Sequence, residues 1–234
     1  QAGSGTDTIT LWYANGCSSD DQSANYSCGY VSKTTNSSFT ITVTLPSTAT
    51  ATTTSLSATS TTPTHGTSVT FTATVTGTSS PTGTVTFKDG ATTLGTGTLS
   101  SGTASYATSS LAVGSHSITA VYAGDTNNLS STSSATSVTV SKASPSASIS
   151  SSSSTPTRGT SVTFTATISG GSSPSGTVTF KDGATTLGTG TISGGQATYS
   201  TSALAVGSHS VTAEYAGDTN NNGATSSATS VTVA

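Results

Sequence analysis

SVTFTATVTG (Ser68–Gly77) and, one Thr further on, SSPTGTVTFKDG (Ser79–Gly90) return almost letter for letter as SVTFTATISG (Ser161–Gly170) and SSPSGTVTFKDG (Ser172–Gly183). The offset of 93 residues holds without a gap from Thr64–Val140 to Thr157–Val233, so the chain is a tandem array. Within each copy the letters alternate. Val69, Phe71, Ala73 and Val75 fall on one face and Ser68, Thr70, Thr72 and Thr74 on the other, the period of a strand with one face in a core and one in water. TVTFK points Val85 and Phe87 inward, and Asp89-Gly90 is a hairpin signal because its glycine tolerates positive φ.

Working outward, Leu94, Leu99, Ala104, Tyr106, Leu111 and Val113 continue the buried set. A sixth strand, SITAVYA, buries Ile118, Ala120 and Tyr122, and a seventh, ATSVTV, buries Val138 and Val140. Thr53–Thr61 reads as a weak first strand ahead of Pro63. Seven short strands separated by frequent turn signals predict an all-β, antiparallel two-sheet sandwich. Differences between the copies test the register. Positions assigned to the core change only among apolar residues: Val75 to Ile168, Leu99 to Ile192, Ile118 to Val211. Positions assigned to the surface change freely: His65 to Arg158, Val121 to Glu214, Leu129 to Asn222. A Glu on the inner face would be an unpaired buried charge, so position 214 points outward.

Nearly half of the 234 residues are Ser or Thr, and five Lys and Arg stand against eight Asp and Glu, a net charge of −3. Hydroxyls must solvate such a surface. Regularly spaced apolar side chains separate it from a disordered Ser/Thr-rich tract. Five basic residues scattered over the whole length cannot form the stripe a nucleic acid requires, which excludes that partner. No apolar run is long enough for a membrane span. The start, QAGSGTDTIT, has neither a basic nor an apolar leader region, so any signal peptide or anchor is expected outside this stretch.

Gly5–Gly16, GTDTITLWYANG, lines up with GSHSITAVYAGD at 114–125 and GSHSVTAEYAGD at 207–218, and FTITVTL (Phe39–Leu45) lines up with TSVTV at 136–140. Residues 1–46 therefore read as a partial unit holding only the last two strands, Ile9–Ala14 and Phe39–Leu45. A linker around Pro46–Ala51 leads to full units at 51–141 and 144–234. An insertion between the two strands of the partial unit carries Cys17, Asp20, Asp21, Tyr26, Cys28 and Tyr30. Cys17 and Cys28 are the only cysteines, close together in one polar loop. They are expected to be bonded to each other, closing a loop worth about 3 kcal/mol by chain entropy. A disulfide implies an oxidising compartment and an extracellular, secreted or cell-surface location.

At GTVTFKDG, LGTGTLSSGTASY and LAVGSHSITAVYAGDTNN the sequence resembles the bacterial immunoglobulin-like repeat domains found in tandem in large surface and secreted proteins. The resemblance covers both full units and the two strands of the partial one. It implies an array of immunoglobulin-like sandwiches, two complete and one partial. It also implies extracellular display, stalk formation or adhesion, and no catalysis. The cysteine-bearing insertion and Trp12 have no counterpart in the regular units.

Chemistry-bearing residues are few. His116 and His209 read as turn residues before a strand, and Asp89 and Asp182 as hairpin residues. Asp125-Thr-Asn127-Asn128 and Asp218-Thr-Asn220-Asn221 place oxygens at alternate positions but lack the Gly and terminal Glu of a calcium loop, and read as Asx-type turns. Nothing resembles paired catalytic carboxylates, a zinc set or a phosphate loop, so neither an enzyme nor a cofactor is expected. Glycosylation acceptors stand at Asn25, Asn36 and Asn128, all in expected loops. The outward rows of Thr70, Thr72 and Thr74 read as a solvated sheet face.

Trp12 occupies the position of Val121 and Glu214 and is expected on the outer face of its sheet. Either the cysteine loop covers it, or a neighbouring chain or ligand does. Two strands alone leave an apolar face, so Trp12, Ile41 and Val43 are the expected interface, with partners being further copies of the chain or upstream domains of the same protein. The expectation is a self-associating segment of a cell-surface stalk or filament. The rival is an adhesin or glycan-binding stalk whose ligand site includes Tyr26 and Tyr30.

Overall fold

The computed structural model describes residues 7–11 and 39–43 as backbone and 49–234 in full. The chain divides into two units, residues 1–49 and 50–234. In the first, β1 (Asp7–Leu11) pairs antiparallel with β2 (Phe39–Val43), Ile9 opposite Ile41.

The second unit holds two sandwiches with the same strand plan. In the first repeat, β3 (Thr53–Ala58), β4 (Val69–Thr76) and β7 (Thr103–Thr108) form one sheet in the order β3-β4-β7. The facing sheet runs β10-β8-β5-β6, from β5 (Thr84–Asp89), β6 (Thr92–Thr98), β8 (Gly114–Tyr122) and β10 (Thr136–Val140). A two-residue β9 (Ser131–Thr132) also pairs with β8. The second repeat follows the same plan. β11 (Ser146–Ser151), β12 (Val162–Ser169) and β15 (Gln196–Thr201) form one sheet. β13 (Thr177–Asp182), β14 (Thr185–Thr191), β16 (Gly207–Tyr215), β17 (Ala224–Thr225) and β18 (Thr229–Val233) form the other. All strand pairings are antiparallel.

The alternation seen in the letters is the alternation in space. Val69, Phe71, Ala73 and Val75 of β4 meet Val85 and Phe87 of β5, Ile118, Ala120 and Tyr122 of β8 and Val138 of β10 in one core, all at most 2% exposed. Phe164, Phe180 and Tyr215 occupy the equivalent places in the second core. Each fully buried Val, Ile or Phe among them contributes about 1.5–3 kcal/mol. Ala213 is fully buried while Glu214 lies on the outer face and pairs with Lys181, as the register argument requires.

Two features depart from the reading of the letters. Val113 is only half-buried and Val206 is 64% exposed, because each belongs to the connection before its strand begins at Gly114 or Gly207, while Leu111 and Leu204 of the same connections are buried. The Gly-rich β6 also closes one side of the sandwich. A Cβ on Gly95 would stand 2.3 Å from the Tyr106 ring, and one on Gly97 would stand 2.6 Å from the Ser105 carbonyl oxygen. Only glycine lets β6 come down onto β7, where Tyr106 stacks on Phe87 at 5.9 Å.

Candidate functional site

The hairpin between β5 and β6 turns on Gly90 and Ala91, with Asp89 opposite Thr92 as its last paired residues and Gly90 at φ +54°. Asp89 therefore sits in the ladder beside β8. His116 donates from Nδ1 to Asp89 Oδ2 at 2.6 Å and from Nε2 to the Ala112 carbonyl at 2.8 Å, while the Ser117 N–H donates to Asp89 Oδ1 at 3.0 Å. Both imidazole nitrogens face acceptors, an arrangement that favours the protonated ring, and the Asp89 hydrogen bond is the main cause raising its pKa above 6.5. The second repeat repeats the arrangement with His209, Asp182 and the Ala205 carbonyl. With Nε2 committed to a carbonyl, neither imidazole is free to act as a base toward the serines of GSHS.

Asp125 organises a second cluster. Its Oδ2 accepts from the Thr82 N–H at 2.8 Å, the Thr82 hydroxyl at 2.9 Å and the Tyr122 hydroxyl at 3.0 Å. Its Oδ1 accepts from the Asn127 N–H at 2.8 Å, an Asx turn. The Asn128 amide nitrogen donates to both oxygens and to the Ser79 carbonyl at 2.6 Å. The Thr82 N–H above all holds the Asp125 carboxyl well below the usual range. At Asp218 burial works the other way but is outweighed, chiefly by the Asn220 N–H. The carboxylate oxygens of Asp125 are thus engaged by donors of the fold, and among the described residues no three His, Cys, Asp or Glu come together as metal ligands. Asn128 is 2% exposed, with its amide nitrogen engaged.

The two repeats meet at a short junction. The Ser141 carbonyl accepts from the His65 N–H, Ala143 exchanges main-chain bonds with Asn220 and Asn222, and Lys142 Nζ donates to the Asp218 carbonyl at 2.5 Å. His65 Nδ1 meets Ser172 Oγ at 2.8 Å across the gap. An open cleft of about 560 Å³ lies there, lined by Thr64–Thr67, Ala143, Ser144 and Gly171–Ser173. It is polar and has no Phe, Tyr or Trp in its wall.

The family model of the bacterial Ig-like domain, group 3, matches residues 54–141 and again 149–234. The chain belongs to this family of bacterial Ig-like domains. No curated protein matches it. Among solved structures, these Ig-like repeats are similar to the fibronectin(III)-like modules of Clostridium thermocellum CbhA, at 22% identity over 76% of this chain and 92% of that one, TM-score 0.32. A 1.5-MDa bacterial ice-binding adhesin aligns at 19% identity over 84% and 68%, TM-score 0.35. The Yersinia pseudotuberculosis adhesin InvE aligns at 18% over 77% and 58%, TM-score 0.36.

Of the residues singled out from sequence, Trp12, Cys17, Asn25, Tyr26, Cys28, Tyr30 and Asn36 lie outside the described residues. Ile41 and Val43 stand in β2, opposite Ile9 and Asp7. No helix among the described residues is long and apolar enough to cross a membrane. The Asp–His contacts of the Ig-like repeats escaped sequence reasoning. Their one signal is the recurrence of Asp89 and His116, 27 residues apart, as Asp182 and His209.

Proposed function

We propose that the chain is a segment of an extracellular stalk or filament built from Ig-like repeats, and that it self-associates through its N-terminal strands. The observation that carries this reading is a register. Asp7 stands opposite Val43 as His116 stands opposite Val138 and His209 opposite Val231, and Asp7 is the residue that aligns with both histidines. That register supports reading β1 and β2 as the last two strands of a repeat. In a complete repeat that pair continues into a strand like β5 and faces a sheet like β3-β4-β7. A neighbouring copy that supplies those elements adds main-chain hydrogen bonds and apolar burial together, and head-to-tail donation propagates into an open fibre. Ile41 and Val43 of β2, with Trp12 beyond β1, form the interface in this reading. Membership in the bacterial Ig-like family and the expected Cys17–Cys28 bridge support display outside a cell, in a structural role without catalysis.

Replacing Ile41 and Val43 together by Asp tests it. Electron microscopy should show filaments from the unaltered chain and none from the variant, while calorimetry finds both repeats still folded. Filaments that persist in the variant, or an unaltered chain that stays monomeric at high concentration, would overturn the proposal.

A further inference from the structure

We infer that Asn222 is a modification site, whose side-chain amide cyclises onto the Gly223 nitrogen and hydrolyses to isoaspartate, loosening the hold of the second repeat on the segment that joins the repeats. Asn222 and Gly223 are both exposed and lie outside the strands, between the bridge at Asn221 and the start of β17 at Ala224. Glycine has no Cβ to shield its nitrogen or to restrict the backbone rotation that brings this nitrogen onto the Asn222 Cγ. Among the described residues no acceptor takes the Gly223 N–H. The Asn222 side chain is held by one exposed bond, Nδ2 donating to Ser144 Oγ at 3.1 Å. Its neighbour is held differently. Asn221 is fully buried, and its amide nitrogen donates to the Ser172 carbonyl and to both Asp218 carboxylate oxygens. The first repeat carries Leu129-Ser130 where the second carries Asn222-Gly223. The main-chain path is the same in both: the Leu129 N–H donates to the Thr50 carbonyl at 2.8 Å, and the Asn222 N–H to the Ala143 carbonyl at 2.8 Å. The reactive pair therefore occurs in one repeat only, on a path that does not require it.

The reaction needs water alone. Hydroxide removes the Gly223 amide proton, the nitrogen forms a bond to the Asn222 Cγ, and the Cγ–Nδ2 bond breaks with loss of ammonia, closing a succinimide ring. Water then adds to one of the two ring carbonyls. Opening on one side leaves aspartate at position 222. Opening on the other routes the main chain through Cβ and Cγ, so that an extra methylene enters the backbone just before Gly223. Either product has lost the Nδ2 donor to Ser144 and carries a new negative charge in the loop that holds Asp218. Isoaspartate also shifts β17 relative to Asn220–Asn222, the segment that exchanges main-chain bonds with Ala143 at the joint. The inference goes beyond the stalk reading and does not rest on it, since it concerns chemistry inside one chain.

Peptide mapping of the full chain, kept folded in mildly alkaline buffer and sampled over days, tests it. The peptide holding Asn222 should gain a single mass unit and become a substrate for isoaspartyl methyltransferase. Its rate should lie within about tenfold of that in the urea-unfolded chain, since an exposed residue outside the strands opens at little cost. Asn15-Gly16, the other Asn-Gly pair in the sequence, falls in a different peptide and is scored separately. Asn222→Leu copies Leu129 of the first repeat and should abolish the change at this position. In calorimetry the aged chain should show the second repeat melting several degrees lower, with the first repeat as internal reference, while aged Asn222→Leu melts as it did when fresh. The inference is overturned if the Asn222 peptide stays unchanged in the folded chain while it converts in the unfolded one. It is equally overturned if the peptide converts and the second repeat melts as before.

Discussion

His116 and His209 meet Asp89 and Asp182 across neighbouring strands, and these contacts give stability a definite dependence on pH. Each histidine has a folded pKa raised above 6.5, chiefly by its bond to the aspartate. Its contribution is complete below 6.5 and is lost as pH rises through the raised folded value. Asp182, lowered from 3.8 by the same bond, contributes above its ordinary value, and that part is lost as pH falls through the lowered one. The melting temperature should therefore be highest in the mildly acidic range between these limits and decline toward alkaline pH. The alkaline decline should vanish when His116 and His209 are both replaced by Gln. Calorimetry across that range checks this, and an unchanged decline in the double variant would remove the two histidines as its cause. The letters alone placed Asp89 in a hairpin and His116 before a strand. What they could not supply was that the turn falls on Gly90 and Ala91, which leaves Asp89 in the ladder facing β8. The burial of Asn128 was illegible for a related reason. A loop residue can be interior when a neighbouring carboxylate, here Asp125, gathers the loop around it.

The strands themselves were legible because one face of each sheet is dry. Alternation of Val and Phe with Thr identified β4 and β5 and their inner faces, and the change of Val121 to Glu214 identified the outer face of β8 and β16. Strand β6 was less legible. TTLGTGT has too few apolar side chains to show a period, since its role is to approach another backbone and not to fill a core. The close approach of Gly95 to the Tyr106 ring leads to an expectation for this element. Gly95→Ala should destabilise the first repeat by about 1–3 kcal/mol, because the added methyl must displace a ring stacked on Phe87. Denaturant unfolding measures it. An unchanged midpoint would mean that Tyr106 moves aside freely and that β6 is not held against β7 by this contact.

At the scale of the tandem, the question is whether the two repeats stand as one cooperative body or as two bodies held at a fixed joint. The hydrogen bonds at the junction divide by owner. Ser141 bonds back to Pro63 and His65 of the first repeat, while Ala143, 7% exposed, bonds forward to Asn220 and Asn222 of the second, and Lys142 between them donates from Nζ to the Asp218 carbonyl of the second. Across the gap there is the His65–Ser172 bond and little apolar area, since the cleft beside it is open and polar. Such a joint restricts orientation without merging the two cores, so nearest-neighbour coupling should be weak beside each repeat's own stability. Replacing Ala143 by Pro removes its N–H bond to the Asn220 carbonyl, which belongs to the second repeat alone, at a cost of about 1 kcal/mol. For a domain of this size that lowers the melting temperature by roughly 4–8 °C. Because the two repeats have nearly the same core, the unaltered chain should melt them together. The variant should split the calorimetric transition into an upper part at the original temperature and a lower part from the second repeat. A single transition that moves down as a whole would mean that the joint couples the repeats strongly, and that the pair folds as one body.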